Sequence, residues 1–112
     1  MTFTDDQNSA TAMMASKYPA AELPRFPLGQ LLSTPGSLQL LHDCNVDPLS
    51  LLARHVRGDW GTICAEDAQS NEEALQWGDR LLSSYVLPGG GVIWVITEAD
   101  RSVTTCLRPD EY

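Results

Sequence analysis

Apolar side chains in the first half of the chain recur at the period of a helix. Leu38, Leu41 and Cys44 follow one another at intervals that place them on one helix face. Thr34 followed by Pro35 is a typical pair of N-cap and first-turn residues. A helix is therefore predicted to begin at this pair.

A second helix is predicted to begin at Asp47, since Pro48 follows it and repeats the same start signal. Gly58 is the predicted C-terminal stop, and the apolar stripe between these points consists of Leu49, Leu52 and Val56. The two helices predict a compact helical hairpin. Ahead of them, a short helical turn is predicted from the grouping of Leu28, Leu31 and Leu32.

A third helix is predicted over "AEDAQSNEEALQW", residues 65–77. Its inner face is weakly apolar, because Asn71 and Glu72 fall between Ala68 and Leu75. We expect one of these two polar side chains to border the core, where it would need a hydrogen-bond partner.

After residue 78 the pattern changes to the alternation typical of strands. Turn-forming stretches separate three β-rich runs, "RLLSSYVL", "VIWVIT" and "RSVTTCLR". The middle run is apolar on both faces, as expected of a central strand. The predicted fold class is α+β, with three N-terminal helices packed on a three-stranded antiparallel β-meander.

The chain is long enough for one domain. Residues 1–27 are polar, rich in Ala and Ser and then punctuated by prolines, so we expect a flexible leader. Its large apolar side chains could dock on the domain or on a partner: Phe3, Met13, Met14, Tyr18 and Phe26. Residues 28–112 are predicted to form a single α+β domain.

The chain is strongly acidic, with a formal net charge of −8. This charge disfavours direct nucleic-acid binding and attracts partners with basic surfaces. Nothing resembles a membrane span or a secretory signal, so we expect a cytoplasmic protein without membrane contact.

No cofactor or metal is predicted. The sequence has no Gly-rich phosphate loop, and "PGGG" at 88–91 lies between strands, where it forms a hairpin turn. His42, Cys44, His55 and Cys64 are the residue types that bind zinc, but they lack the paired spacing of zinc sites. The three cysteines indicate a reduced protein rather than a disulfide framework.

The densest group of charged and aromatic residues lies in "RHVRGDWGTICAED", residues 54–67. Trp and Arg are enriched at the centres of protein interfaces. The predicted interaction residues are Arg54, His55, Arg57, Asp59, Trp60, Glu66 and Asp67. In the opposing interpretation, Trp60 packs the helical hairpin against the sheet as a core residue, and Arg54 and Arg57 are solvated.

An enzymatic alternative is a small metal-independent ribonuclease or toxin. Helices followed by an antiparallel meander is the layout of barnase-like and RelE-like nucleases, which need a general acid and base and cations. The candidates for these roles are His55, Arg80, Glu98 and Arg101, with Arg108 as a further cation. The acidic net charge argues against an RNA substrate.

Several segments resemble a group of small plasmid-related proteins, carried by plasmids and integrative elements of proteobacteria, that have no established activity. The resemblance covers residues 26–112 and rests on "FPLGQLLSTPGSLQLL", "LLARHVRGDWG", "EDAQSNEEAL", "RLLSSY", "IWVITEADRSVTT" and "LRPDEY". It implies a mobile genetic element as the context and supplies no catalytic residues. Small acidic proteins of such elements often bind host machinery, including defence complexes.

The sequence therefore predicts a small acidic interaction protein of a mobile element. Its expected partner is a host or element-encoded protein with a basic surface, and an anti-defence role of the anti-CRISPR or anti-restriction type is the leading hypothesis. We further expect that the chain could form a homodimer, in which the last strand, "RSVTTCL", is an edge strand that pairs across a two-fold axis.

Overall fold

Residues 23–112, the part of the chain that the computed structural model describes, form four strands, three helices and one 3₁₀ turn. The predicted leader lies almost entirely outside this range, including Phe3, Met13, Met14 and Tyr18. The elements in chain order are β1 (Gln30–Ser33), α1 (Pro35–Asp43), α2 (Pro48–Val56), α3 (Ala65–Trp77), β2 (Leu81–Val86), β3 (Val92–Thr97), β4 (Val103–Leu107) and the 3₁₀ turn (Pro109–Glu111).

The helices begin at side chains that cap their first turns. The hydroxyl of Thr34 accepts a hydrogen bond from the backbone N–H of Ser37 at 3.1 Å, and Pro35 opens α1. The carboxylate of Asp47 accepts from the N–H of Leu49 at 2.9 Å at the start of α2. These bonds satisfy backbone donors that a helix leaves without internal partners, which fixes both helix starts.

The predicted architecture of N-terminal helices on a three-stranded meander is wrong. The sheet is four-stranded and mixed, in the order β1-β4-β3-β2, and the helices lie between β1 and β2 in the chain. The segment predicted as a short helical turn is β1, which pairs parallel to β4 with Leu31 opposite Thr104. Two adjacent leucines do not distinguish a helical turn from a strand, and pairing with a distant strand decides the outcome.

Gly29 allows the chain to enter β1. Its φ is +67°, and a Cβ at this position would collide with the backbone carbonyls of Arg101 and Ser102. A residue without a side chain therefore lets β1 approach the turn before β4.

The last strand, β4, is not an edge strand. It pairs with β1 on one side and with β3 on the other, so it has no open edge for pairing across a two-fold axis. The edges of the sheet are β1 and β2.

On β2, the side chain of Asn71 from α3 bonds the backbone N–H of Leu82 at 3.1 Å and its C=O at 2.7 Å. The expectation that Asn71 or Glu72 borders the core is confirmed for Asn71, which is buried.

The helices pack on one face of the sheet and bury its side chains. The fully buried apolar residues there are Leu28, Leu41, Leu81, Tyr85, Ile93 and Val95. No helix within residues 23–112 is long and apolar enough to cross a bilayer.

Candidate functional site

The junction between α2 and α3 holds most of the predicted interaction residues, and an ion pair organises it. Arg54 Nε donates to Asp59 Oδ2 at 2.7 Å, and the Arg54 guanidinium lies 4.5 Å from the centroid of the Tyr85 ring. The hydrogen bond from Arg54 lowers the pKa of Asp59 below its ordinary value. Tyr85 donates its hydroxyl proton to the Asp59 carbonyl at 2.6 Å, so the turn is fastened to β2.

Trp60 is a core residue rather than a surface anchor. Only 7% of it is exposed, and its ring stacks on Phe26 with 6.2 Å between centroids. Its indole N–H donates to Glu72 Oε2 at 3.0 Å, and Arg25 binds both oxygens of the same carboxylate at 2.8 and 3.0 Å. The position of Trp60 is that of the opposing interpretation, but Arg54, which that interpretation left solvated, pairs with Asp59.

His55 lies beneath the same junction and is fully buried. Its Nδ1 lies 2.6 Å from Ser83 Oγ, and its Nε2 lies 2.9 Å from Thr97 Oγ1. The edge of the ring meets Phe26, with 5.1 Å between ring centroids. Both ring nitrogens therefore have partners inside the protein.

The hydrogen bonds beyond Thr97 determine the tautomer of His55. Thr104 donates its single hydroxyl proton to the carbonyl of Leu28 at 2.7 Å. Thr97 must then donate to Thr104, whose Oγ1 lies 2.7 Å away. Thr97 has only lone pairs left for His55, so Nε2 carries the proton and Nδ1 accepts from the hydroxyl of Ser83.

Burial lowers the pKa of His55 from its ordinary value of 6.5 to about 3, and the charge of Arg101 acts in the same direction. The ring is neutral at pH 7, and the described part of the chain leaves none of it exposed to solvent. A general base needs to reach the proton that it removes, and His55 in this position reaches only Ser83 and Thr97.

The other proposed nuclease residues lie near one another at one end of the sheet, outside the His55 pocket. Arg80 Nη2 pairs with Glu98 Oε1 at 3.3 Å, and its Nη1 donates to the hydroxyl of Tyr112 at 2.6 Å. Arg101 and His55 both contact the Phe26 ring, with the Arg101 guanidinium 5.9 Å from its centroid and the His55 ring centroid 5.1 Å from it, and no hydrogen bond joins His55 to Arg80, Glu98 or Arg101 in the described part of the chain.

Arg101 holds the end of α3 against the turn between β3 and β4. Its guanidinium donates to the backbone carbonyls of Asp79 at 2.6 Å, Glu98 at 3.1 Å and Ala74 at 3.0 Å. Arg108 pairs instead with Asp110 at 3.1 Å. These arginines are engaged in structural contacts.

The residues considered for zinc do not assemble. Across residues 23–112, no three His, Cys, Asp or Glu side chains are placed to hold a metal ion. Cys64 caps α3, its Sγ accepting from the N–H of Asp67 at 3.4 Å. Burial raises the pKa of the Cys106 thiol to about 11. His42 lines an open cleft of about 250 Å³ between α1 and α2.

The surface that sequence reasoning missed is the solvent-facing side of α3. Glu66, Ser70, Glu73 and Trp77 recur there at intervals of three and four residues, which place them on one helix face. We call these four residues the acidic stripe. Trp77 is 74% exposed, and within residues 23–112 neither Glu66 nor Glu73 has an ion-pair partner.

The spacing of this stripe could be read from the sequence, because Glu66, Ser70, Glu73 and Trp77 recur at intervals of four, three and four residues in the predicted third helix. The sequence does not show that this face of the helix is exposed. The interaction residues predicted from the sequence included Glu66 and Asp67, which are exposed in the first turn of α3.

The elements and the stripe together define a small protein of three helices on one face of a mixed sheet, with an acidic helix at its surface. Comparison of the chain with protein-family models, curated proteins and solved structures finds no match.

Proposed function

We propose that this protein is a non-enzymatic binding protein that uses the acidic stripe of α3 to engage a basic surface on another protein. The observation that carries the proposal is the exposure of Trp77, 74% of which faces solvent. Trp is rarely so exposed and is the residue type most enriched at binding hot spots. Here it ends a stripe that carries two carboxylates, Glu66 and Glu73.

The distribution of charge supports a basic partner. The chain has a net charge of −8. Four of its arginines, Arg25, Arg54, Arg80 and Arg108, are paired with acidic side chains. Arg101 is engaged by backbone carbonyls. Of the arginines in residues 23–112, Arg57 alone has neither kind of partner. Little positive charge therefore offsets the field of the stripe, which would attract and orient a cationic surface.

The buried position of His55 favours binding over catalysis. The ribonuclease alternative needs a general base in contact with substrate, whereas the ring of His55 is enclosed by Phe26, Ser83 and Thr97. Arg80, Glu98 and Arg101 lie near one another, but His55 is bonded to Ser83 and Thr97 instead, so binding is the function that we propose.

The cellular context of the proposal comes from the resemblance to plasmid-related proteins. In this proposal the protein acts in the cytoplasm of the host of a mobile element, and its target is a defence complex with a cationic nucleic-acid channel. Cys44, Cys64 and Cys106 are free thiols, which supports a reducing compartment.

The experiment is affinity capture from a proteobacterial host, with the tagged chain as bait and Trp77→Ala and Glu73→Lys as variants. Leu49→Ala and Asp43→Lys are the matched controls, because Leu49 is also exposed and Asp43 is an exposed acid on α1. We expect capture of one partner to fall at least about tenfold with each stripe variant and to persist with the controls. Capture should also weaken steeply with salt.

Binding that is insensitive to salt, or that both stripe variants leave intact, would contradict the proposal. Cleavage of RNA by the purified chain, abolished in a His55→Ala variant that circular dichroism shows to be folded, would instead support the nuclease.

A further inference from the structure

The acidic stripe has the spacing of a helix–helix contact. Its four residues are separated by intervals of four, three and four, which is the repeat by which one helix meets another along its length. Ser70 is the smallest of the four, and its hydroxyl donates to the carbonyl of Glu66 at 3.1 Å, along its own helix. The middle of the stripe is therefore low and has room for a side chain from a partner.

The stripe offers a partner acceptors and an aromatic ring. Glu66, Glu73 and Trp77 are all exposed, and no Lys or Arg occurs among the residues of α3. The neighbouring side chain of Gln69 is uncharged and donates to Glu73 at 3.4 Å. A cationic partner therefore meets no like charge from this helix.

The separation of the two carboxylates matches a second helix. Glu66 and Glu73 are seven residues apart, which is about 10.5 Å along the helix axis. Two cations seven residues apart on another helix have the same separation and lie on one face. On a strand, the side chains of one face recur at about 6.6 Å and then at about 13 Å. A helix therefore meets both carboxylates at once, and an extended segment does not.

The last turn of α3 favours arginine over lysine. Trp77 is 74% exposed, and Glu73 lies four residues before it, so that their Cβ atoms are about 5–6 Å apart. A guanidinium is planar, stacks on an indole face and donates from its edge, so it engages the ring and the Glu73 carboxylate together. The ammonium of lysine is a point charge without this planar geometry.

We propose that the partner engages the acidic stripe through an α-helix that places an arginine over Trp77 and Glu73. A second cation, seven residues away on the same helix, lies opposite Glu66. This inference rests on the proposed function and adds to it the partner's secondary structure and the side chain that it presents. The contact is roughly 17 Å long and is dominated by exposed charges, so it is weak by itself and sensitive to salt.

The test is titration of the full chain with an alanine-based helical peptide that carries two arginines seven residues apart. NMR follows the indole N–H of Trp77, whose signal is assigned by its absence in Trp77→Ala. We expect this signal to shift on binding, whereas that of Trp60 stays in place, because Trp60 is buried and bonded to Glu72.

Two control peptides test the spacing and the side chain. With the arginines five residues apart, the cations lie on different faces of the helix, and we expect the Kd to be at least about threefold higher. Replacing both arginines with lysine at the original spacing should also raise the Kd about threefold. Circular dichroism establishes that the three peptides are helical.

A matched pair of protein variants tests the register. Glu66→Gln should raise the Kd of the first peptide to that of the five-residue spacing, because one carboxylate of the stripe remains. Asp67→Asn makes the same change of charge one residue away, at an exposed position outside the stripe, and should leave the preference for the seven-residue spacing intact.

Equal Kd values for the two spacings, equal effects of Glu66→Gln and Asp67→Asn, or no binding of the first peptide up to about 1 mM would overturn the helical partner. A lysine peptide that binds as tightly as the arginine peptide would overturn the choice of arginine. Each of these results leaves the proposed function standing if capture from the host still depends on Trp77, and only loss of that dependence contradicts the function itself.

Discussion

Ser83 and His55 are joined by a hydrogen bond of 2.6 Å that neither residue shares with solvent. The bond is one end of a chain of side-chain hydroxyls that runs through Thr97 and Thr104 to the carbonyl of Leu28. It links α2, the sheet and the segment that leads into β1. Every buried side-chain nitrogen or oxygen in residues 23–112 has a partner, so this polar network is fully satisfied.

The first prediction concerns the dependence of stability on pH. The pKa of His55 is about 3 in the folded protein against an ordinary 6.5. The unfolded chain therefore takes up a proton first as the pH falls. The stability is fully present above about pH 6.5 and is lost progressively toward pH 3. Between pH 7 and pH 5 we expect the free energy of unfolding to fall by about 2 kcal/mol.

Urea denaturation at a series of pH values measures this slope. The interval from pH 7 to pH 5 lies above the pH at which carboxylates with lowered pKa values, such as Asp59 and Glu72, take up protons in the folded protein. His55→Asn should remove the slope while lowering stability throughout. His42→Gln should keep it, because His42 is exposed. A slope that survives in His55→Asn would mean that another group titrates.

The second prediction concerns Asn71, which closes the edge of β2 through two bonds to the backbone of Leu82. Asn71→Ala leaves a buried N–H and a buried C=O without partners, so we expect a loss of about 2–4 kcal/mol. Asn71→Asp keeps the acceptor for the N–H and loses the donor to the C=O. Ser70→Ala on the exposed side of α3 should change stability by less than about 0.5 kcal/mol.

Chemical denaturation of the three variants gives the comparison. If Asn71→Ala were no less stable than Ser70→Ala, the bonds to Leu82 would contribute nothing, and β2 would be held by its pairing with β3 and by the backbone bonds of Ser84 to Trp60 and Thr62.

The third prediction separates two costs of replacing glycine. Gly61 has a φ of +76°, and a Cβ there would collide with the carbonyl oxygen of Ser84. Gly89 has a φ of +95° with nothing within 4 Å of the Cβ position. Gly89→Ala should cost only the backbone strain, about 1 kcal/mol. Gly61→Ala carries the collision in addition and should cost at least about twice as much.

Thermal unfolding of both variants tests this order. Equal melting temperatures would show that the segment around Gly61 moves away from β2 at little cost, and the hydrogen bond from Thr62 N–H to the Ser84 carbonyl, at 2.7 Å, should then be lost as well.

The helix starts could be predicted because their signals are local. Thr34 and Asp47 cap helices through atoms within three residues of themselves. The strand β1 could not be predicted in this way, since its partner β4 is distant in the chain and the pairing is not encoded near Leu31. The meander β2–β3–β4 is joined by short turns and was visible from alternation alone.

The candidate site was predicted only in part, because the sequence does not say which tryptophan is buried. Trp60 was singled out for its charged neighbours, yet its ring packs on Phe26. Trp77 ends α3 on the side opposite to Asn71, and only the packing of that helix on β2 shows that it faces solvent.

The parallel pairing of β1 with β4 sets the order in which the sheet is completed during synthesis. Ser37, just after β1, bonds the carbonyl of Cys106 across a separation of 69 residues. On the ribosome, the segment that becomes β1 has no strand partner until β4 has emerged, whereas α2, α3 and the β2–β3 hairpin can already pack on one another. The first strand in the chain is therefore the last to be added to the sheet, and the leucines of β1 stay accessible to chaperones until β4 pairs with it.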